Sequence, residues 1–113
     1  MKYEVQKISK ITEEMLNFFF INYTDKINIS IENTDDAYII VFQSDNVKCS
    51  EKRIMEINKL LNVQRQHEIE EYYWQLVGND PGDEEYNLIG MMVDEAEVEF
   101  ESPHLKIKLS RYK

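Results

Sequence analysis

The strongest constraint on the fold comes from two neighbouring segments near the end of the chain in which apolar and charged residues alternate. Residues 96–101 alternate alanine, valine and phenylalanine with glutamates, and residues 105–109 alternate leucine and isoleucine with lysines. A period of two predicts half-buried β-strands, and the intervening Ser102–His104 predicts the turn of a hairpin. On the solvent face of this hairpin, we expect the glutamates to stand opposite the lysines.

A second hairpin is predicted earlier in the chain. Ile27, Ile29 and Ile31 alternate with polar residues, which predicts a strand with one buried face. A polar turn at 33–36 follows, and the apolar run 38–42 is typical of a central strand that is covered on both faces.

Helical periodicity fills the rest of the chain. Residues 9–23 predict a first helix with Ser9 as its N-cap, and residues 51–77 predict a long helix whose polar middle leaves its continuity open. The loop 78–82, with Gly at each end, would terminate that helix, and Asp83 would cap a short third one.

The predicted order of elements is αββααββ. Because hairpins and helices are segregated, this order predicts an α+β fold, a two-layer sandwich in which helices cover one face of a four-stranded, largely antiparallel sheet made of two hairpins. With 113 residues, we expect a single domain, 1–113.

The charge of the chain excludes several classes of partner. Twenty-two acidic residues against 13 basic ones give a net charge of −9, which disfavours nucleic acids and anionic membranes. No apolar run is long enough to span a bilayer, no signal peptide is recognisable, and the single Cys49 fits a reducing compartment. We therefore expect a cytoplasmic protein with a protein partner, and homodimerisation is left open.

Three segments share a pattern with a known family: Glu13 and Asn17, four residues apart in the first helix, Asp45 after the central strand, and residues 88–95. In a degenerate form, they resemble the GHKL ATPase superfamily of histidine kinases and Hsp90-like proteins, nearest the anti-sigma-factor serine kinases. Glu13 and Asn17 look like the family's E-x-x-x-N box, Asp45 falls where the family has D-x-G, and 88–95 is similar to the helix after the glycine box. The resemblance implies that Glu13 acts as the base, Asn17 helps to hold magnesium, and Asp45 reads the adenine of ATP.

The chain departs from the family where the phosphates would bind. Glu85, Tyr86 and Asn87 stand in place of the glycine box, and Val47 replaces the glycine after Asp45. Because a Cβ blocks the approach of backbone N–H groups to a phosphate, we expect no cofactor, no metal and no catalytic residue.

The favoured function is thus a non-catalytic regulatory protein-binding module, in bacterial signalling or sigma-factor-type partner switching. One alternative is an ATP- and magnesium-dependent serine kinase of the anti-sigma type, with Glu13 as base and Asn17, Asp45 and Asn87 at the nucleotide. Another alternative is a structural subunit of a larger complex.

Other candidate sites are weaker. The segment 67–71 resembles the zinc motif H-E-x-x-H but lacks the second histidine, so we expect an exposed helix face. The acid-rich loop 79–85 lacks the spacing of a calcium loop. Tyr72, Tyr73, Trp74 and Tyr86 are expected in the core, with a binding patch as the alternative.

Overall fold

The computed structural model describes residues 3–76 and 83–113. The sheet has the strand order β1-β2-β4-β3, and every pair of neighbours is antiparallel, so the predicted α+β class and order of elements are confirmed. None of the helices in these two ranges is long and apolar enough to cross a membrane. The elements are α1 (Glu4–Ile21), β1 (Asn28–Asn33), β2 (Ala37–Ser44), α2 (Glu51–Leu61), α3 (His67–Tyr73) with a 3₁₀ turn (Trp74–Leu76), α4 (Asp83–Met91), β3 (Glu95–Glu101) and β4 (His104–Tyr112).

Both predicted hairpins are present. The first closes at Thr34, whose backbone N–H donates to the carbonyl of Ala37 at 2.8 Å, while its hydroxyl accepts the N–H of Ala37 at 3.0 Å. In the second hairpin, Glu97 stands opposite Lys108 and Glu99 opposite Lys106, as the alternation predicts.

The helices differ from their predicted bounds. The first begins at Glu4, and Ser9 is not its N-cap, because the Ser9 hydroxyl lies inside the helix and donates to the carbonyl of Val5 at 2.9 Å. The segment 51–77 is not one helix, since α2 ends at Leu61 and α3 begins at His67. The predicted helix end and loop at 77–82 lie outside the described residues.

Gly90 lets α4 approach the end of α2 unusually closely. A Cβ placed on Gly90 would lie 2.5 Å from the carbonyl oxygen of Leu60 and 2.9 Å from that of Leu61. Separations below 3 Å from backbone atoms are not tolerated, so this packing requires glycine.

The first hairpin is less buried than predicted. Ile29 and Ile31 of β1 are 37% and 52% exposed, and the whole strand is exposed, so the expectation of a half-buried β1 is wrong. The helices lie over the other strands: Phe19 of α1 stacks on Phe42 of β2, and α2 packs against β3. The strand β2 is central but covered on one face only, because Val41 on the opposite face is half-buried.

Candidate protein-binding surface

A fully buried arginine on β4 is the centre of an ionic cluster. Arg111 is 1% exposed, and its Nη1 and Nη2 donate to the two carboxylate oxygens of Glu70 at 2.6 and 2.7 Å. Its Nε and Nη2 also donate to Glu4 at 2.9 Å each, and Nη1 donates to the carbonyl of Met92 at 2.6 Å. These five bonds engage all five N–H groups of the guanidinium.

Two further cations converge on Glu70. The Nζ of Lys7, a residue 1% exposed, donates to Glu70 at 2.7 Å and to Glu71 at 2.6 Å. Arg65 contacts Glu70 at 3.3 Å and Asp94 at 2.8 Å. We call this set of three cations and four carboxylates the buried charge cluster: Glu4, Lys7, Arg65, Glu70, Glu71, Asp94 and Arg111.

The cluster fixes the ionisation of its members. Burial alone would raise the pKa of Glu70, but the hydrogen bonds from Arg111 and Lys7 outweigh it and lower that pKa to about 2. Burial would lower the pKa of Lys7, yet its bonds to Glu70 and Glu71 raise it. Glu70 and Lys7 therefore both stay charged at neutral pH.

Buried ions contribute little net stability but define geometry, because each must keep its partners once it has left water. Here the cluster ties α3 to α1 and to β4 through Glu70. A seven-residue helix is too short to be stable alone, so this anchoring determines where α3 sits.

The anchored helix ends in two exposed tyrosines. Tyr72 is 80% exposed and Tyr73 48%, and their ring centroids are 6.5 Å apart. Trp74, by contrast, is buried, and Tyr3 packs on it with ring centroids 5.4 Å apart. We call the two exposed tyrosines, Tyr72 and Tyr73, the aromatic patch.

The expectation that the aromatic residues of this region belong to the core is thus half right. It is confirmed for Trp74 and Tyr86 and wrong for Tyr72 and Tyr73. Within α3, Glu70 is buried and Ile69 is half-buried, and the other five residues of the helix are exposed.

Sequence reasoning also missed the buried charge cluster. The expected exposed face at 67–71 is wrong at Glu70, which is 3% exposed. One signal was available: Arg111 has the same parity along β4 as the buried Leu105, Ile107 and Leu109, so a strand of period two points it inward.

The residues of the nucleotide hypothesis lie on α1, on α4 and directly after β2. Glu13 and Asn17 are exposed on α1, and Asn87 is half-buried on α4. Asp45 is exposed after the end of β2, where its carboxylate lies 3.1 Å from the ring of His104.

Asp45 lines a hollow at the surface, and Glu13, Asn17 and Asn87 are not among its lining residues. Its remaining residues are Lys26, Asn28, Ser44 and Asn46, so neither α1 nor α4 contributes to it. Among residues 3–76 and 83–113, no three His, Cys, Asp or Glu side chains are placed to hold a metal ion.

Comparison with known proteins adds no identification: no protein-family model, curated protein or solved structure matches this chain. The kinase-like resemblance therefore stays a prediction.

Proposed function

We propose that this protein is a non-catalytic regulatory module that binds another protein through the aromatic patch. The observation that carries the proposal is the exposure of Tyr72 and Tyr73 on a helix that the buried charge cluster holds in place. Tyrosine is enriched among the residues that dominate binding energy at interfaces. A pre-positioned helix also loses little conformational freedom when a partner binds.

Charge around the patch indicates the chemistry of the partner. Glu68 and Glu71 are exposed on the same short helix, and the side chain of Glu71 keeps 64% of its exposure while paired with Lys7. The chain as a whole carries a net charge of −9. A complementary partner has an apolar centre for the tyrosines and a rim of Lys or Arg. Regulation by exchange of partners, as the kinase-like resemblance implies, belongs to the same proposal.

The start of α4 supports protein binding over nucleotide binding. A helix N-terminus attracts anions, but the first turn of α4 already carries three carboxylates, on Asp83, Glu84 and Glu85. Asp83 pairs with Arg53 at 2.8 Å, so this basic side chain is already engaged by a carboxylate. A polyphosphate at this position would meet like charge.

Affinity capture with matched variants tests the proposal. Tagged wild-type protein, a Tyr72→Ser/Tyr73→Ser double variant and Met55→Ser are incubated with native cell extract. Met55 is a suitable control because it is 62% exposed and lies on α2, a different helix from the one that carries the tyrosines. We expect one partner to be retained by wild type and Met55→Ser and lost by the double variant.

The captured partner is then purified and its affinity measured by calorimetry. Removing two interface tyrosines is expected to weaken binding by at least about tenfold, and affinity should fall as salt is raised. A partner that binds the double variant as tightly as wild type would refute the proposal.

Thermal unfolding with ATP and magnesium separates the proposal from the kinase alternative. Specific binding must stabilise the folded state, so we expect no change in melting temperature at millimolar nucleotide. A rise of several degrees that Asn17→Ala abolishes would favour the kinase.

A further inference from the structure

The strand β1 is an edge strand without the usual protection against further pairing. No strand among residues 3–76 and 83–113 pairs with its outer side. Its register with β2 runs without a bulge from Asn28 to Asn33, and its only charged residue is Glu32. Natural edges normally carry bulges, prolines or several charges. The opposite edge, β3, carries four glutamates and has α2 packed against it.

The position of the hairpin turn shows which backbone groups of β1 are available. Thr34 bonds to Ala37 across the turn, and bonding alternates along an antiparallel pair. The even-numbered residues of β1 therefore bond to β2. Ile29, Ile31 and Asn33 direct their N–H and C=O groups to the open edge.

Exposed apolar side chains lie along this edge. Ile29 and Ile31 are exposed on the side of the sheet that carries the helices. On α1, Lys7 contacts Glu70 of α3, and Phe18 contacts Tyr86 of α4. At 100° per residue, Phe20 lies on the opposite flank of α1, towards β1, and it is 54% exposed.

We propose that β1 binds β1 of a second copy of this chain, antiparallel about a two-fold axis at Ser30. Ile29 then stands opposite Ile31 of the second copy, and each such pair exchanges two backbone hydrogen bonds, because both residues direct their N–H and C=O groups to the edge. Two four-stranded sheets become one continuous sheet, with four isoleucines in contact on its helical side.

Charge distribution favours a second copy as the occupant. In this register the single charge, Glu32, faces the neutral Asn28 of the second copy, so no like charges oppose each other along the strand. Self-pairing of β3 would bring glutamates together. The edge of β1 and the aromatic patch on α3 are on different elements, so a negative result for one proposal does not affect the other.

Sedimentation equilibrium tests the dimer over a range from low to high micromolar protein. We expect wild type to reach twice the chain mass of 13.6 kDa, and Ile31→Lys to stay monomeric because a lysine at this position blocks edge pairing. Met55→Lys, at a comparably exposed apolar position on α2, should still dimerise. A wild-type protein that is monomeric throughout, or a dimer that survives Ile31→Lys, overturns the proposal.

Amide hydrogen exchange on wild-type protein avoids any dependence on how the variant folds. The amides of Ile29 and Ile31 should exchange slowly in concentrated samples and quickly on dilution. Those of Ser30 and Glu32 should stay protected in both, because they bond to β2. Concentration-dependent protection elsewhere, or none on β1, contradicts the proposed pairing.

Discussion

On one side of the helical layer charged side chains are buried, whereas on the other side apolar side chains are exposed. Beside α3, the charged Arg111 and Lys7 are each 1% exposed, whereas beside β1 the apolar Ile31 is 52% exposed. The difference follows from coverage: α1 and α3 close over the end of β4, and β1 extends beyond the helices. Burial is decided by which element lies above a residue, and polarity alone does not predict it.

This contrast implies an uneven distribution of stability. Removing a fully buried member of the charge cluster, such as Glu70, leaves uncompensated charge in the interior, whereas changing an exposed isoleucine removes little contact.

Glu70→Ala should have the largest effect. It removes the carboxylate shared by Lys7, Arg65 and Arg111, and we expect the free energy of unfolding to fall by about 3–5 kcal/mol in urea titration. Glu71→Ala is the matched control, since Glu71 also pairs with Lys7 but is exposed, and it should cost less than about 1 kcal/mol. Equal losses for the two variants would show that burial of the cluster does not matter.

Low pH should reduce the free energy of unfolding by protonating Glu70 of the buried charge cluster. The pKa of Glu70 is about 2 in the folded protein against 4.5 for the free group, so its stabilisation is complete above pH 4.5 and is lost as the pH falls towards 2. The shift corresponds to about 3 kcal/mol at 1.36 kcal/mol per pKa unit. The lowered pKa of Glu4 acts in the same direction.

The control for the acid effect is Glu70→Gln, which cannot titrate. Urea unfolding at neutral pH and at about pH 3 should show a smaller loss for this variant than for wild type. Burial raises the pKa of Glu14, so protonation of this residue at low pH favours the folded state and partly offsets the loss from Glu70. An acid loss unchanged in Glu70→Gln would assign it to other carboxylates.

Gly90→Ala should be destabilising, although alanine favours helices. The added Cβ would collide with the carbonyls of Leu60 and Leu61, and we expect a cost of about 1–3 kcal/mol in thermal or urea unfolding. Helix propensity alone predicts the opposite sign, a gain of about 1 kcal/mol. A more stable variant would mean that α2 and α4 can separate at little cost.

Ile31→Thr should have the smallest effect. In dilute samples we expect the free energy of unfolding to change by less than about 0.5 kcal/mol, because Ile31 is already half in solvent. Ile40→Thr provides a matched comparison: Ile40 is the cross-strand partner of Ile31 and is fully buried, so it should cost about 2 kcal/mol or more. Similar costs would show that β1 is covered in solution.

The hairpins were predictable because their signals are local. Alternation and turn residues are read within ten residues, and they gave the strands, the turn at Ser102–His104 and the glutamate–lysine register. The break in 51–77 was visible only as a polar interval, because a solvated helix and a loop have similar composition there.

Features that depend on contacts between distant segments were not predictable in the same way. Glu70 looks like any helical glutamate until Lys7 and Arg111, 63 and 41 residues away, are placed beside it. The exposure of Ile29 and Ile31 likewise depends on where α1 and α2 end. The alternating sequence of β1 carries no information about the positions of those helices.

The bond between Glu4 and Arg111 also affects the order in which the chain can fold. These residues are 107 positions apart, so the contact closes a loop around nearly the whole described domain. Long-range closures form late and slow folding. During synthesis, the N-terminal helix must wait for the last strand to leave the ribosome before its Lys7 and Glu4 reach their final surroundings, and until then they remain hydrated on an unfinished chain.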